Sequence, residues 1–127
     1  MNRNTLSKAE RLSSKRIIET LFAGGAKSFS IFPLRIVYIP SDNLASPAAI
    51  LISVSKKRFK RAVKRNRVKR QIREAYRKNK HDLLDMLEEK GLKLAIAFIY
   101  LDDKLMPSVE MEQNMKLLLT RLIQKTS

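Results

Sequence analysis

The sequence predicts an α+β fold, a small sheet packed with helices, in the order helix, strands, helix, strand, helix. Three observations predict it. Apolar runs rich in β-formers at 34–39, 48–54 and 93–100 are separated by segments of helical period. Gly24-Gly25, Pro40, Gly91 and Pro107 stand where one pattern gives way to the next. The 127 residues, 44% of them apolar, suffice for one core, and neither a linker nor an internal repeat divides them, so residues 1–127 read as a single domain.

Taken in order, residues 7–24 read as a helix whose apolar side is Leu12, Ile17, Ile18, Leu21 and Phe22. Residues 1–8 are expected to be flexible. Residues 27–40 read as extended, with Pro40 stopping the run, and Ser41 to Pro47 form a polar connection. Residues 48–54 read as a second strand, expected to pair with 34–39 as a hairpin with a longish loop. A helix runs from near Ala62 to about Asn79, and a short helical turn over 81–90 is closed by Gly91. The run Lys93 to Tyr100 is almost continuously apolar, which implies burial on both faces. Ser108 is a good N-cap for the last helix, with Glu110 and Glu112 in its first turn. Met111, Met115, Leu118, Leu119, Leu122 and Ile123 recur at helical spacing and face the sheet.

Composition excludes several chemistries. Cysteine is absent, so disulfides, thiolate metal sites and Cys nucleophiles are excluded. The single histidine, His81, argues against a His-based zinc site. The acid pair Asp102-Asp103 follows a strand; adjacent strand residues point oppositely, so it marks a turn and not a metal site. No set of side chains forms a catalytic constellation. The N-terminus carries no apolar secretory core, and no apolar run approaches the about 20 residues a membrane helix needs. The expected setting is cytoplasmic, with no membrane partner.

The net charge is +15, and its distribution is uneven. Between Lys56 and Lys80 there are 14 Lys and Arg against one acid, Glu74, while the remainder of the chain is nearly neutral. On a helical wheel of 62–79, Val68, Ile72 and Ala75 share one side with Tyr76 at its edge. Asn66, Arg70, Arg73 and Arg77 share the opposite side, flanked by Arg67 and Lys69. Like charges four apart on a helix repel by a few tenths of a kcal/mol. A row of phosphates converts that repulsion into attraction through counterion release, and the arginine fork matches phosphate oxygens. An isolated charge run is more often a solvated face or a localisation signal. Concentration on one side of a packed helix favours a nucleic-acid surface.

These residues also carry a family resemblance. Ser53-Val54-Ser55-Lys56-Lys57, a short connector, and then Ala62 through Arg77 with Arg65-Asn66-Arg67 at its centre resemble the signature of the bacterial ribonuclease P protein family. Ile18 to Phe22 and Gly25 are similar to the family's first helix, in which two aromatic residues four apart precede a glycine; Ile18 stands at the first aromatic position. The connector Arg58-Phe59-Lys60-Arg61 departs from the usual Gly-Asn-type turn and is one residue longer. The resemblance implies a left-handed β-α-β crossover containing the basic helix. It implies a protein subunit of an endoribonuclease that removes 5′ leaders from precursor tRNA. Catalysis and the Mg²⁺ that supports it belong to the RNA subunit, and no cofactor is held by protein side chains. The implied partners are the ribonuclease P RNA and precursor tRNA, with no obligate protein partner.

Candidate RNA contacts are Lys56, Lys57, Lys64, Arg65, Asn66, Arg67, Lys69, Arg70, Arg73 and Arg77. Asn66 suits either a direct contact or a brace for the crossover, and Arg77 either a contact or a solvated charge. Candidates for the cleft that the resemblance places between the first helix and the sheet, to hold the leader, are Lys15, Ile18, Phe22, Phe32, Arg35 and Tyr38. Strand alternation alone leaves open which of these face it, and Phe22 suits a core position as well. A ribosomal or other structural RNA-binding protein shares the charge argument. A DNA-binding regulator ranks last, since neither a dimerisation heptad nor helix-turn-helix spacing surrounds the basic helix.

Overall fold

The computed structural model describes residues 6–126. For residues 1–5 the expectation of flexibility lies outside the described residues; Leu6 packs against the core. The elements are a 3-10 turn at Lys8–Glu10, α1 (Lys15–Phe22), β1 (Lys27–Ile31), β2 (Leu34–Pro40), β3 (Ala48–Ser53), α2 (Ala62–Asn79), α3 (His81–Lys90), β4 (Leu94–Tyr100) and α4 (Ser108–Thr126).

Three expectations need correction, and the extended reading of 27–40 is refined. The stretch 7–24 is not one helix. Ser7 and Glu10 close a capping box around the 3-10 turn, and Arg11 and Leu12 then run extended. Leu12 N–H donates to the Ile50 carbonyl of β3 at 2.8 Å, and Ser14 caps α1 by accepting from Ile17 N–H. Local polar caps and a sheet edge offering an acceptor outcompete a continuous helix here.

The extended stretch 27–40 is two strands. β1 and β2 pair antiparallel from Lys27↔Tyr38 to Ile31↔Leu34, and the turn holds a cis Phe32–Pro33 bond.

β2 and β3 do not pair as a hairpin. The sheet order is β1-β2-β4-β3, with β4 antiparallel to β2 and parallel to β3. The connection 41–47 is tied to the entry of β4: Ser41 N–H donates to Lys93 O, Leu94 N–H to Pro47 O, and Lys93 Nζ to Leu44 O. β4 takes the interior position because it is apolar on both faces; Leu94 to Phe98 and Tyr100 are all buried.

Ser108 is the first residue of α4 and not its cap, since Met111 N–H donates to Pro107 O. Its hydroxyl instead accepts from Gln71 Nε2 of α2.

Two cores result. On one face of the sheet, Ile36, Tyr38, Ile96 and Phe98 pack with Val68, Ile72 and Tyr76 of α2 and with Met111, Met115 and Leu118 of α4. Tyr76 lies tilted over Phe98, ring centroids 5.6 Å apart. On the other face, Val37, Ala49, Ala95 and Ala97 pack with Leu12 and with Leu21, Ile17 and Ile18 of α1. Small alanines on this side let the short α1 sit close. Gly91 closes α3 in the left-handed region, at φ 66°.

Candidate nucleic-acid interface

α2 runs over the expected residues, with Val68, Ile72, Ala75 and Tyr76 buried. Asn66, Arg67, Arg70 and Arg73 are exposed, as are Lys64 in the first turn and Lys56 and Lys57 in the turn after β3. Lys69 is half-buried.

Arg65 behaves differently from its neighbours. Its guanidinium donates to Phe59 O at 2.8 Å and to Lys60 O at 2.9 Å, clamping the connector onto α2. Phe59 is buried, 6.0 Å from the Tyr100 ring. The unusual connector is thus anchored from within by its aromatic, while Arg58, Lys60 and Arg61 stay exposed. The bracing role considered for Asn66 belongs to Arg65, and Asn66 faces solvent.

The one acid of the basic segment neutralises one cation. Glu74 Oε2 accepts from Arg77 at 2.6 Å, and that hydrogen bond holds the Glu74 carboxyl below the usual carboxylate range. Arg77 is therefore engaged within the chain and is neither simply solvated nor part of the free row.

At the C-terminal end of α2, Lys80 is buried and its Nζ bonds Glu10 Oε2 at 2.7 Å. Burial pushes the Glu10 carboxyl up. The hydrogen bond and charge of Lys80, with two bonds from Ser7, outweigh this and hold it below its ordinary value. Burial and the nearby Glu10 charge push the Tyr76 phenol strongly upward. Sequence reasoning missed this pair. The signal was the i+4 series Val68, Ile72, Tyr76, which continues inward to Lys80.

The leader-cleft candidates divide by face. Arg35 shares a sheet face with Val37 and Ile39, and α1 rests on that same face. Arg35 is exposed and donates to Ser28 Oγ of β1 at 3.3 Å. Ile18 is half-buried against the same layer, Lys15 is exposed, and Phe22 is 51% exposed at the end of α1. Lys15 and Phe22 thus stand at the two ends of α1, and Ile18 lies between them on the layer that Arg35 shares. Phe32 sits at the β1–β2 turn, 67% exposed, its carbonyl near Asn114 Nδ2 of α4. Tyr38 is on the opposite face, buried and edge-on to Phe29, and so lines the main core and no cleft. The reason is the two-residue strand repeat, which puts Tyr38 with Ile36 and opposite Arg35 and Val37.

Asp102 and Asp103 form a turn, with Asp102 Oδ1 accepting from the N–H groups of Asp103 and Lys104. Among the described residues no cluster of three His, Asp or Glu side chains is placed to hold a metal ion, and no helix is long and apolar enough to cross a membrane.

An α+β domain with a buried-faced helix carrying an exposed, largely uncompensated arginine row defines a small basic nucleic-acid-binding protein. Residues 6–123 match the family Ribonuclease P. The chain is 48% identical to the ribonuclease P protein component of Porphyromonas gingivalis over 118 residues, covering 92% of this chain and 85% of that one. It is 38% identical to the component of Chlorobium phaeobacteroides, covering 85% and 80%. Solved structures share the fold at 22% identity. They include the RNase P protein of Staphylococcus aureus (TM-score 0.69, 91% of this chain and 96% of that one) and that of Thermotoga maritima (TM-score 0.67, 88% and 96%). The chain belongs to the ribonuclease P protein family.

Proposed function

We propose that this chain is the RNA-binding, non-catalytic subunit of ribonuclease P, acting in removal of 5′ leaders from precursor tRNA. The exposed row Asn66, Arg67, Arg70 and Arg73, with Lys56, Lys57 and Lys64 at its near end, binds the backbone of the catalytic RNA. The sheet face beside α1, with Arg35, Lys15, Ile18 and Phe22, holds the single-stranded leader: cations meet phosphates, and the exposed Phe22 ring offers a stacking surface. The parallel pairing of β3 and β4 around α2 and α3 fits the crossover of the family, and its left hand rests on the family resemblance.

The chemical step is assigned to the RNA with its own Mg²⁺. The chain's own residues bind, screen phosphate repulsion and orient. This reading fits a chain whose paired acids, Asp102 and Asp103, sit in a turn.

The observation that carries the proposal is the exposed row Asn66, Arg67, Arg70 and Arg73 on α2, in which, among the described residues, no ion pair engages the arginines. The test is reconstitution with the cognate ribonuclease P RNA at low Mg²⁺. The protein is expected to accelerate leader removal from precursor tRNA, and Arg67→Glu with Arg70→Glu to abolish the acceleration. Both positions are exposed and, among the described residues, clamp no loop, unlike Arg65. No acceleration by the folded wild-type protein, or co-purification with ribosomal RNA alone, would reject the assignment in favour of a structural RNA-binding role.

A further inference from the structure

The extended segment after the 3-10 turn lies along the edge of β3, where Arg11 pairs with Ile50 in a parallel bridge. Between this strap and α2 is a groove of about 330 Å³, lined by Leu6, Arg11, Ile50, Ile52, Lys69 and Arg73. Its floor is apolar and its charged walls are all cationic. Among the described residues no ion pair engages Arg11, Lys69 or Arg73. The strap segment 6–14 has one acid, Glu10, and that carboxylate is turned inward onto Lys80. The pair does two things at once. It removes from the groove the one carboxylate of that segment able to neutralise these cations, and it fastens the strap so that Arg11, the next residue, stands across from Lys69 and Arg73.

We propose that this groove is an additional RNA phosphate site, with Arg11 as a binding residue supplied from outside α2 and the Glu10–Lys80 pair as the device that positions it. The inference rests on the RNA-binding reading above. Phosphodiesters of the catalytic RNA and of the precursor leader share the recognising chemistry, so the test has an arm for each. Three converging cations around one groove suit one or two backbone phosphates, and a neutralised phosphate contributes about 0.7–0.9 to the slope of log affinity against log salt.

The experiment measures salt-dependent binding of the full chain to its cognate ribonuclease P RNA. It also measures binding of the reconstituted complex to precursor tRNA with and without a leader. Arg11→Ala is expected to weaken binding several-fold at 0.15 M salt and to reduce the slope by about 0.7–0.9, while Arg11→Lys keeps the slope. A loss with the catalytic RNA alone assigns the groove to that RNA; a loss seen only with leader-bearing tRNA assigns it to the leader. Lys80→Met, which frees the strap, is expected to reproduce the Arg11→Ala loss, and the double variant to add little. Arg11 is exposed, so its variants retain the fold, and they decide the matter if Lys80→Met is too unstable to assay. Arg70→Ala serves as the control. An unchanged slope in Arg11→Ala alongside a reduced one in Arg70→Ala overturns this site and leaves the RNA-binding reading standing. Unchanged slopes in both overturn the two together.

Discussion

Replacing Lys80 with methionine strands a carboxylate. In the native protein the Lys80 side chain is 2% exposed, Glu10 is 11% exposed, and 2.7 Å separates Nζ from Oε2. Removing one partner of such a pair typically costs about 3–5 kcal/mol. An upper bound follows from proton uptake. The stranded Glu10 can neutralise itself at pH 7 for about 3.7 kcal/mol, starting from an ordinary glutamate value near 4.3. Its two bonds from Ser7 survive and lower the loss. The expected deficit is therefore about 2–4 kcal/mol at pH 7, a large share of a typical domain's stability. At pH 5 the same bound falls to about 1 kcal/mol, so the deficit should shrink with it. The sign agrees with the native shift. The Glu10 carboxyl lies below its unfolded value, so its contribution is complete above that value and is lost as pH falls through the native one. Urea unfolding followed by circular dichroism at both pH values, on Lys80→Met, Glu10→Gln and the pair, measures this. The double variant is expected to recover most of the loss, because no charge is left buried. A deficit below about 1 kcal/mol at pH 7, or one independent of pH, would refute the reasoning.

Three further outcomes are expected. Tyr76→Phe removes a buried hydroxyl that has no hydrogen-bond partner among the described residues, so urea denaturation should show it neutral or stabilised by up to about 1 kcal/mol. Gly91→Ala places a Cβ at φ 66° and should lower the urea midpoint by an amount worth about 1 kcal/mol, although nothing crowds the site. Glu74→Gln releases Arg77 from its ion pair; the salt-dependence slope for RNA should rise by up to about 0.9, at a helix cost of no more than about 0.5 kcal/mol in thermal unfolding.

What was legible in the chain itself was whatever depends on periodicity and local chemistry. The i+4 spacing of Val68, Ile72 and Tyr76 against Arg70, Arg73 and Arg77 placed α2 and its two sides correctly. The unbroken apolar run of β4 announced burial on both faces, and Gly91 announced the end of α3. The arginine block also carried the family resemblance that the comparisons bear out. Pairing between distant segments was not legible, because a strand's pattern states how many faces are buried and not which neighbour buries its edges. Hence β2 and β3 looked like a hairpin until β4, arriving some forty residues later, came between them. Likewise a lysine in a basic run reads as surface. Only the docking of residues 7–12 against β3 brings Glu10 to Lys80 and sets Arg11 across from Lys69 and Arg73, since contacts between groups seventy residues apart exist only once loop closure and burial have been settled for the whole domain.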